Sequence, residues 1–217
     1  KIFEPNDYGT TSTLGENIGF QVYLDYYDIM GVPKAWYYTT GDPNTIIGIS
    51  DAGIDANNIE FKGKTTIYRE SAKISGHGDA VAASAAGQGD NGYGFTGVCY
   101  DCNIYGTSFR FTRSLQTLVE LSNAGAKVIN CSWGSTSYSQ TAQDAIYEMV
   151  ENGTIVVAIA HNKPWAKAKG KVRYYPASYD KVISVATVMH RYESVFDNIK
   201  KQEKNGKYYA ANIKGFL

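Results

Sequence analysis

Thr45-Ile46-Ile47-Gly48-Ile49-Ser50 runs directly into Asp51-Ala52-Gly53-Ile54-Asp55. The first six residues are a short apolar run preceded by the turn signal Gly41-Asp42-Pro43-Asn44, and they read as a buried strand. A carboxylate placed directly after such a run is costly to desolvate unless a partner meets it. Asp51 therefore calls for a second polar group from elsewhere in the chain.

Working outward, the same pattern repeats. Apolar runs at 103–109, 127–131, 154–160 and 181–188 read as further strands. The clearest is Thr154-Ile155-Val156-Val157-Ala158-Ile159-Ala160, which has no polar face. Between them lie helix-forming stretches. Residues 79–86 are Ala-rich and closed by Gly87, 114–123 carry Leu115, Leu118, Val119 and Leu121 before Gly125, and 141–152 place Ala142, Ala145, Ile146, Met149 and Val150 on one face before Gly153. A short helix is expected at 33–38, in a segment otherwise rich in turns. Strands without a polar face, alternating with helices, specify an α/β fold. The expected architecture is a three-layer α/β/α domain with a mainly parallel sheet. The spacing divides the chain into a wrapping segment over 1–44, a core over 45–195 and a polar, Lys-rich insertion or tail over 196–217.

Composition narrows the function. The chain has 217 residues, equal numbers of acidic and basic residues, 43% hydrophobic and 19% charged content. That is enough apolar material for a core, and too neutral a balance for nucleic acid or an anionic membrane surface as the main partner. No apolar run approaches the roughly 18 residues of a membrane span. No leader-like segment is evident, which a mature exported chain would also lack.

In sheets of this kind the working site lies beyond the carboxyl ends of the strands. Three polar groups fall there. Asp51 follows the first strand, Ser75-Gly76-His77-Gly78-Asp79 opens the Ala-rich helix, and His161-Asn162 follows the strand at 154–160. Each alone is weak evidence, since a single His or Asn at such a place is more often a turn or surface residue. Their order is more specific.

Asp51-Ala52-Gly53-Ile54-Asp55 resembles the aspartate box of subtilisin-like serine proteases, and Gly76-His77-Gly78 with Val81-Ala82 resembles their histidine box. Val128-Ile129-Asn130-Cys131-Ser132-Trp133-Gly134 is similar to the substrate-binding strand. Val156 through Asn162 is similar to the strand ending in the oxyanion asparagine, with Tyr175-Pro176-Ala177 and Val182-Ile183-Ser184-Val185-Ala186 beyond it. The resemblance implies peptide-bond hydrolysis through an acyl-enzyme. In it Asp51 would orient His77, His77 would act as base and then acid, and Asn162 would meet the charge on the carbonyl oxygen. Ser132, Trp133, Gly134 and Ala160 would line the cleft, where an extended peptide adds as a strand. Trp133 serves equally well as core packing. A secreted or cell-envelope location is the accompanying expectation.

The pattern also departs from the family. No Gly-Thr-Ser box follows Asn162, so the fold is expected to be incomplete at its C-terminus, with the nucleophilic serine supplied by a C-terminal segment beyond Leu217 or by a larger assembly. Ala52 removes a hydroxyl that commonly supports the aspartate. Asp79 stands where Thr is usual, and a second carboxylate near the imidazole would weaken it as a base. His161 replaces a glycine. A non-catalytic module that binds peptide or serves as a scaffold is the rival expectation. The resemblance further implies calcium. Gly89-Asp90-Asn91-Gly92-Tyr93-Gly94-Phe95 matches a calcium loop, with Asn91 as side-chain ligand, Gly89, Tyr93 and Phe95 as carbonyl ligands, and Glu60 as the distant carboxylate. An ion-free Gly-rich turn fits the same residues. Cys99-Tyr100-Asp101-Cys102 leaves a local disulfide and two free thiols open, while Cys131 reads as a core residue.

Overall fold

A computed structural model describes residues 1, 3, 5, 7, 27, 30–69, 76–94, 96–108, 114–160 and 173–186. Among them, in chain order, lie α1 (Val32–Trp36), β1 (Ile46–Asp51), β2 (Thr65–Arg69), α2 (Gly76–Ala86), β3 (Asn103–Ser108), α3 (Ser114–Asn123), β4 (Val128–Cys131), α4 (Gln140–Glu151), β5 (Ile155–Ile159) and β6 (Ile183–Val185). The strands form one sheet in the order β2-β3-β1-β4-β5-β6. Every pairing is parallel, as runs without a polar face require.

The period of two along β1 builds the layers. Ile49 and Asp51 face one side, where Ile49 joins Phe61, Ala82, Ala83, Ala86 and Ile104 in a core made with α2. Gly48 and Ser50 face the other. There Gly48 abuts Leu121, Ala126 and Ile129, and Ser50 Oγ meets Thr117 Oγ1 of α3 at 3.2 Å. Leu118, Leu121, Ile129, Ile146, Met149 and Val156 fill this second core with α3 and α4. Ser139 caps α4, its hydroxyl accepting from Ala142 N at 3.3 Å. The result is the three-layer α/β/α arrangement.

Two differences from expectation have physical causes. β2 was not anticipated, because it sits at the sheet edge with an alternating, half-exposed pattern instead of an apolar run. α2 begins at Gly76, three residues before the expected start, so His77 lies on its first turn. The expected polar tail at 196–217 and the basic stretch at 163–171 lie outside the described residues. No helix among the described residues is long and apolar enough to cross a membrane.

The loop joining α2 to β3 is tied down from several sides. Trp36 Nε1 donates to Val98 O at 2.8 Å, and Tyr27 OH donates to Thr96 O at 3.1 Å. Cys99 and Cys102 form a disulfide, which settles the two alternatives for this pair. The Lys64 ammonium donates to Tyr100 O. Burial lowers this ammonium from 10.5 to about 8, against the pull of Asp101 and Glu60. The unfolded chain therefore holds the proton more tightly than the folded chain between about 8 and 10.5, and Lys64 adds stability as pH rises through that window. In denaturant melts at pH 8 and pH 10, wild type is expected to gain stability relative to Lys64→Met. Parallel curves for the two proteins would exclude the lowered ammonium.

Candidate active site

Asp51 ends β1 at the carboxyl edge of the sheet and is 1% exposed. Its partner is His77. The imidazole Nδ1 lies 2.7 Å from Asp51 Oδ1, and the same oxygen accepts from Ala52 N at 2.7 Å. With Nδ1–H given to the carboxylate, a neutral ring carries its lone pair on Nε2, the nitrogen that would take a proton from a nucleophile. The His77 side chain is 61% exposed, so carboxylate and imidazole occupy opposite extremes of burial. Asp51 Oδ2 is buried and has no hydrogen-bond partner among the described residues. Ala52 brings only its backbone N–H to the carboxylate, and that goes to Oδ1.

The two elements meet closely. A Cβ on Gly78 would come within 2.3 Å of Ala52 O and 2.8 Å of Gly53 O, so only glycine lets α2 approach the turn after β1. Asp79, expected to add a second charge beside the imidazole, is engaged in this turn, where its Oδ1 accepts from Asp55 N at 2.8 Å.

His77 stands at the rim of a trough of about 610 Å³ on the α2 face of the sheet, floored by Ile47, Val128 and Val157 and bordered by Asn130 and Ser132. Asn130 Nδ2 donates to Ser132 Oγ at 2.9 Å. Trp133 points elsewhere. It packs against the second core and lines a separate cavity of about 430 Å³ with Leu115, Tyr138, Ala142, Tyr175 and Tyr179. Core packing, one of the two expectations for Trp133, is what the structure shows. Its indole N–H donates to Ser50 Oγ at 3.1 Å. Gly134 lies against the Tyr174 ring, and Ser135 bridges Tyr175 through two backbone bonds of 2.8 Å. Ala160 N donates to Val185 O at 2.8 Å. Asn162 and His161 lie outside the described residues. The sequence's Gly106-Thr107-Ser108 spells the tripeptide of a nucleophile box, but it forms the end of β3 and does not open a helix.

The loop before β3 brings oxygen atoms together. Glu60 is 7% exposed, and a Cβ on Gly94 (φ 57°) would fall 1.2 Å from Glu60 Oε1, so the carboxylate rests on the loop backbone. Asn91 Oδ1 accepts from Tyr93 N at 2.9 Å. Phe95 lies outside the described residues. A residue not anticipated here ties the loop down. Asp7 is fully buried, accepting from Asp90 N at 3.0 Å, from Asn91 N at 3.3 Å and from the Thr96 hydroxyl. Its only sequence signal was a turn, more than 80 positions from its partners. Among the described residues, no three His, Cys, Asp or Glu side chains group as a metal cluster. The donors that Glu60 and Asn91 could offer are oxygen atoms, which suit a hard cation better than a soft one.

A model of the subtilase family matches residues 42–211. The thermophilic serine proteinase of Bacillus sp. (strain AK1) is 28% identical over 199 residues, covering 85% of this chain and 46% of that protein. Subtilisin DY of Bacillus licheniformis is 31% identical over 157 residues, 67% of this chain and 57% of that protein. The chain thus spans about half the length of these relatives. Among solved structures, the prenylagaramide maturation protease PagA aligns with a TM-score of 0.61 at 24% identity, over 71% of this chain and 57% of that one. Fervidolysin of Fervidobacterium pennivorans aligns with a TM-score of 0.59 at 24% identity, over 70% and 26%. At these identities the two structures speak for the fold alone. The family match extends over most of the sheet, and the relatives it joins are serine proteases, so the chain belongs to the subtilase family.

Proposed function

We propose that this chain carries the aspartate–histidine half of a serine endopeptidase that hydrolyses peptide bonds through an acyl-enzyme. The observation that carries this reading is the 2.7 Å bond between His77 Nδ1 and a carboxylate buried at the end of β1. A serine hydroxyl is too weak an acid to attack an amide unaided. It needs a neutral imidazole to accept its proton and a fixed carboxylate to hold the tautomer that does so. Asp51 and His77 have that relation. Asn162 would stabilise the oxyanion, and Ser132, Gly134 and Ala160 would lie along an extended peptide or protein substrate. The nucleophile would be a serine from a segment beyond those with an assigned role here. Location outside the cytoplasm is supported by the Cys99–Cys102 disulfide and by similarity to the minor extracellular protease Epr of Bacillus subtilis.

The test is peptidase activity, with serine-directed fluorophosphonate labelling, of the polypeptide as its gene encodes it. Wild type should cleave and label, and His77→Ala should lower kcat by roughly 10⁴-fold or more. Labelling and cleavage absent from wild type would instead favour the second reading, a non-catalytic subtilase module. One observation speaks for that second reading, namely the absence of a partner for Asp51 Oδ2 among the described residues where Ala52 lacks a hydroxyl.

Calcium is the cofactor proposed for the 89–96 loop, with Glu60 and Asn91 as side-chain ligands and the carbonyls of Gly89, Tyr93 and Phe95 beside them. The ion would clamp the loop and leave the chemistry to other residues. Chelation is expected to lower the melting midpoint of wild type and to leave Glu60→Gln, already lower, unchanged. A wild-type midpoint indifferent to chelator would remove calcium from the account.

A further inference from the structure

Because His77 is 61% exposed, packing around the ring does little to hold it against Asp51. Its place depends strongly on its backbone, and so on how the first turn of α2 docks on the turn that follows β1. Two contacts among the described residues contribute to that docking. One is the close approach of Gly78 to the carbonyls of Ala52 and Gly53. It limits how near the two backbones come, but a glycine supplies no directional bond. The other is directional. Asp79, two residues after His77, accepts the backbone N–H of Asp55 at 2.8 Å, four residues after Asp51. Asp55 in turn accepts Asn57 N at 2.9 Å, so the bonded turn is itself closed by a side chain. An ionised acceptor on a backbone N–H forms one of the stronger hydrogen bonds, and a carboxylate in the first turn also suits the positive end of the helix.

We propose that Asp79 is a positioning residue that sets the geometry of the Asp51–His77 pair by tying the aspartate turn to the histidine helix. Its effect on the imidazole runs through this bond and not chiefly through its charge. The idea rests on the protease reading, in which that pair is the working dyad. It assigns a function to the acidic residue that otherwise looks like a defect in the histidine box.

The tautomer of the His77 ring reports the dyad without any need for turnover. Long-range proton–nitrogen NMR of the polypeptide as its gene encodes it, above the imidazole titration, distinguishes Nδ1–H from Nε2–H rings. His77→Gln assigns the signal. Wild type is expected in the Nδ1–H form. Asp79→Ala is expected to move the ratio toward Nε2–H by roughly fivefold or more, the worth of one such bond. Asp79→Asn keeps an acceptor oxygen in place and is expected to retain the wild-type ratio. If Asp79→Ala fails to fold, Asp79→Glu displaces the acceptor while keeping its charge, and is expected to shift the ratio in the same direction. A wild-type ratio in a folded Asp79→Ala or Asp79→Glu overturns the proposal while leaving the dyad intact. A folded Asp79→Asn that loses the Nδ1–H form overturns it too, since charge would then be the lever. A wild-type ring in the Nε2–H form removes the dyad itself, and this proposal with it.

Discussion

The burial of the Asp51 carboxylate is the constraint on which the site depends. A charge that is 1% exposed at the end of an apolar strand persists only if it is met by donors. Ala52 N and His77 Nδ1 both meet it at 2.7 Å, and both converge on one oxygen. The strand cannot shift by one residue without turning Asp51 into the α3 side and Ser50 into the α2 side. The parallel pairing of β1 between β3 and β4 fixes that register. The sheet thus holds the carboxylate, and the carboxylate selects what α2 must present.

The layers were legible in the sequence because the strands that build them are apolar on both faces. β1, β4 and β5 lie in the interior of the sheet, where helices cover them, and a run such as Ile155–Ile159 has few other readings. β2 was illegible for the complementary reason. Among the described residues Thr65-Thr66-Ile67-Tyr68-Arg69 pairs with β3 alone, and its outward residues are free to be polar. Its Arg69 bonds Glu120 of α3, a contact across 51 positions that no local pattern announces. The start of α2 was misplaced because Gly76-His77-Gly78 argues against helix by propensity. Close packing on Ala52 and Gly53 overrides that preference, since the glycine that weakens the helix is also what lets it approach.

The candidate site shows the same division. Asp51 and His77 were readable from their position after a strand and at a helix start, and the structure brings them together. What they do beside each other was not readable from residue type. Asp79 looked like an unwelcome second charge, yet its carboxylate is spent on a backbone N–H at the opposite end of the turn. Asp7 looked like part of a turn, yet it is the buried acceptor for the loop at 90–96. Trp133 was split between cleft and core, and Ser50 holds its indole in the second core, on the far face of the sheet from His77.

That last pair joins the two faces of the molecule. Ser50 and Asp51 are neighbours in sequence but point to opposite layers, one to Thr117 and Trp133, the other to His77. Ser50 is fully buried, and its hydroxyl is satisfied by partners from α3 and from the segment after β4. A polar group in such a place is tolerated only when its bonds are made, and making them ties both partners to the end of β1. The wall of the 430 Å³ cavity and the imidazole at the rim of the trough are therefore referenced to the same two residues of one strand. Any change that moves the end of β1 displaces both at once, whereas a change in α2 or α3 alone displaces one.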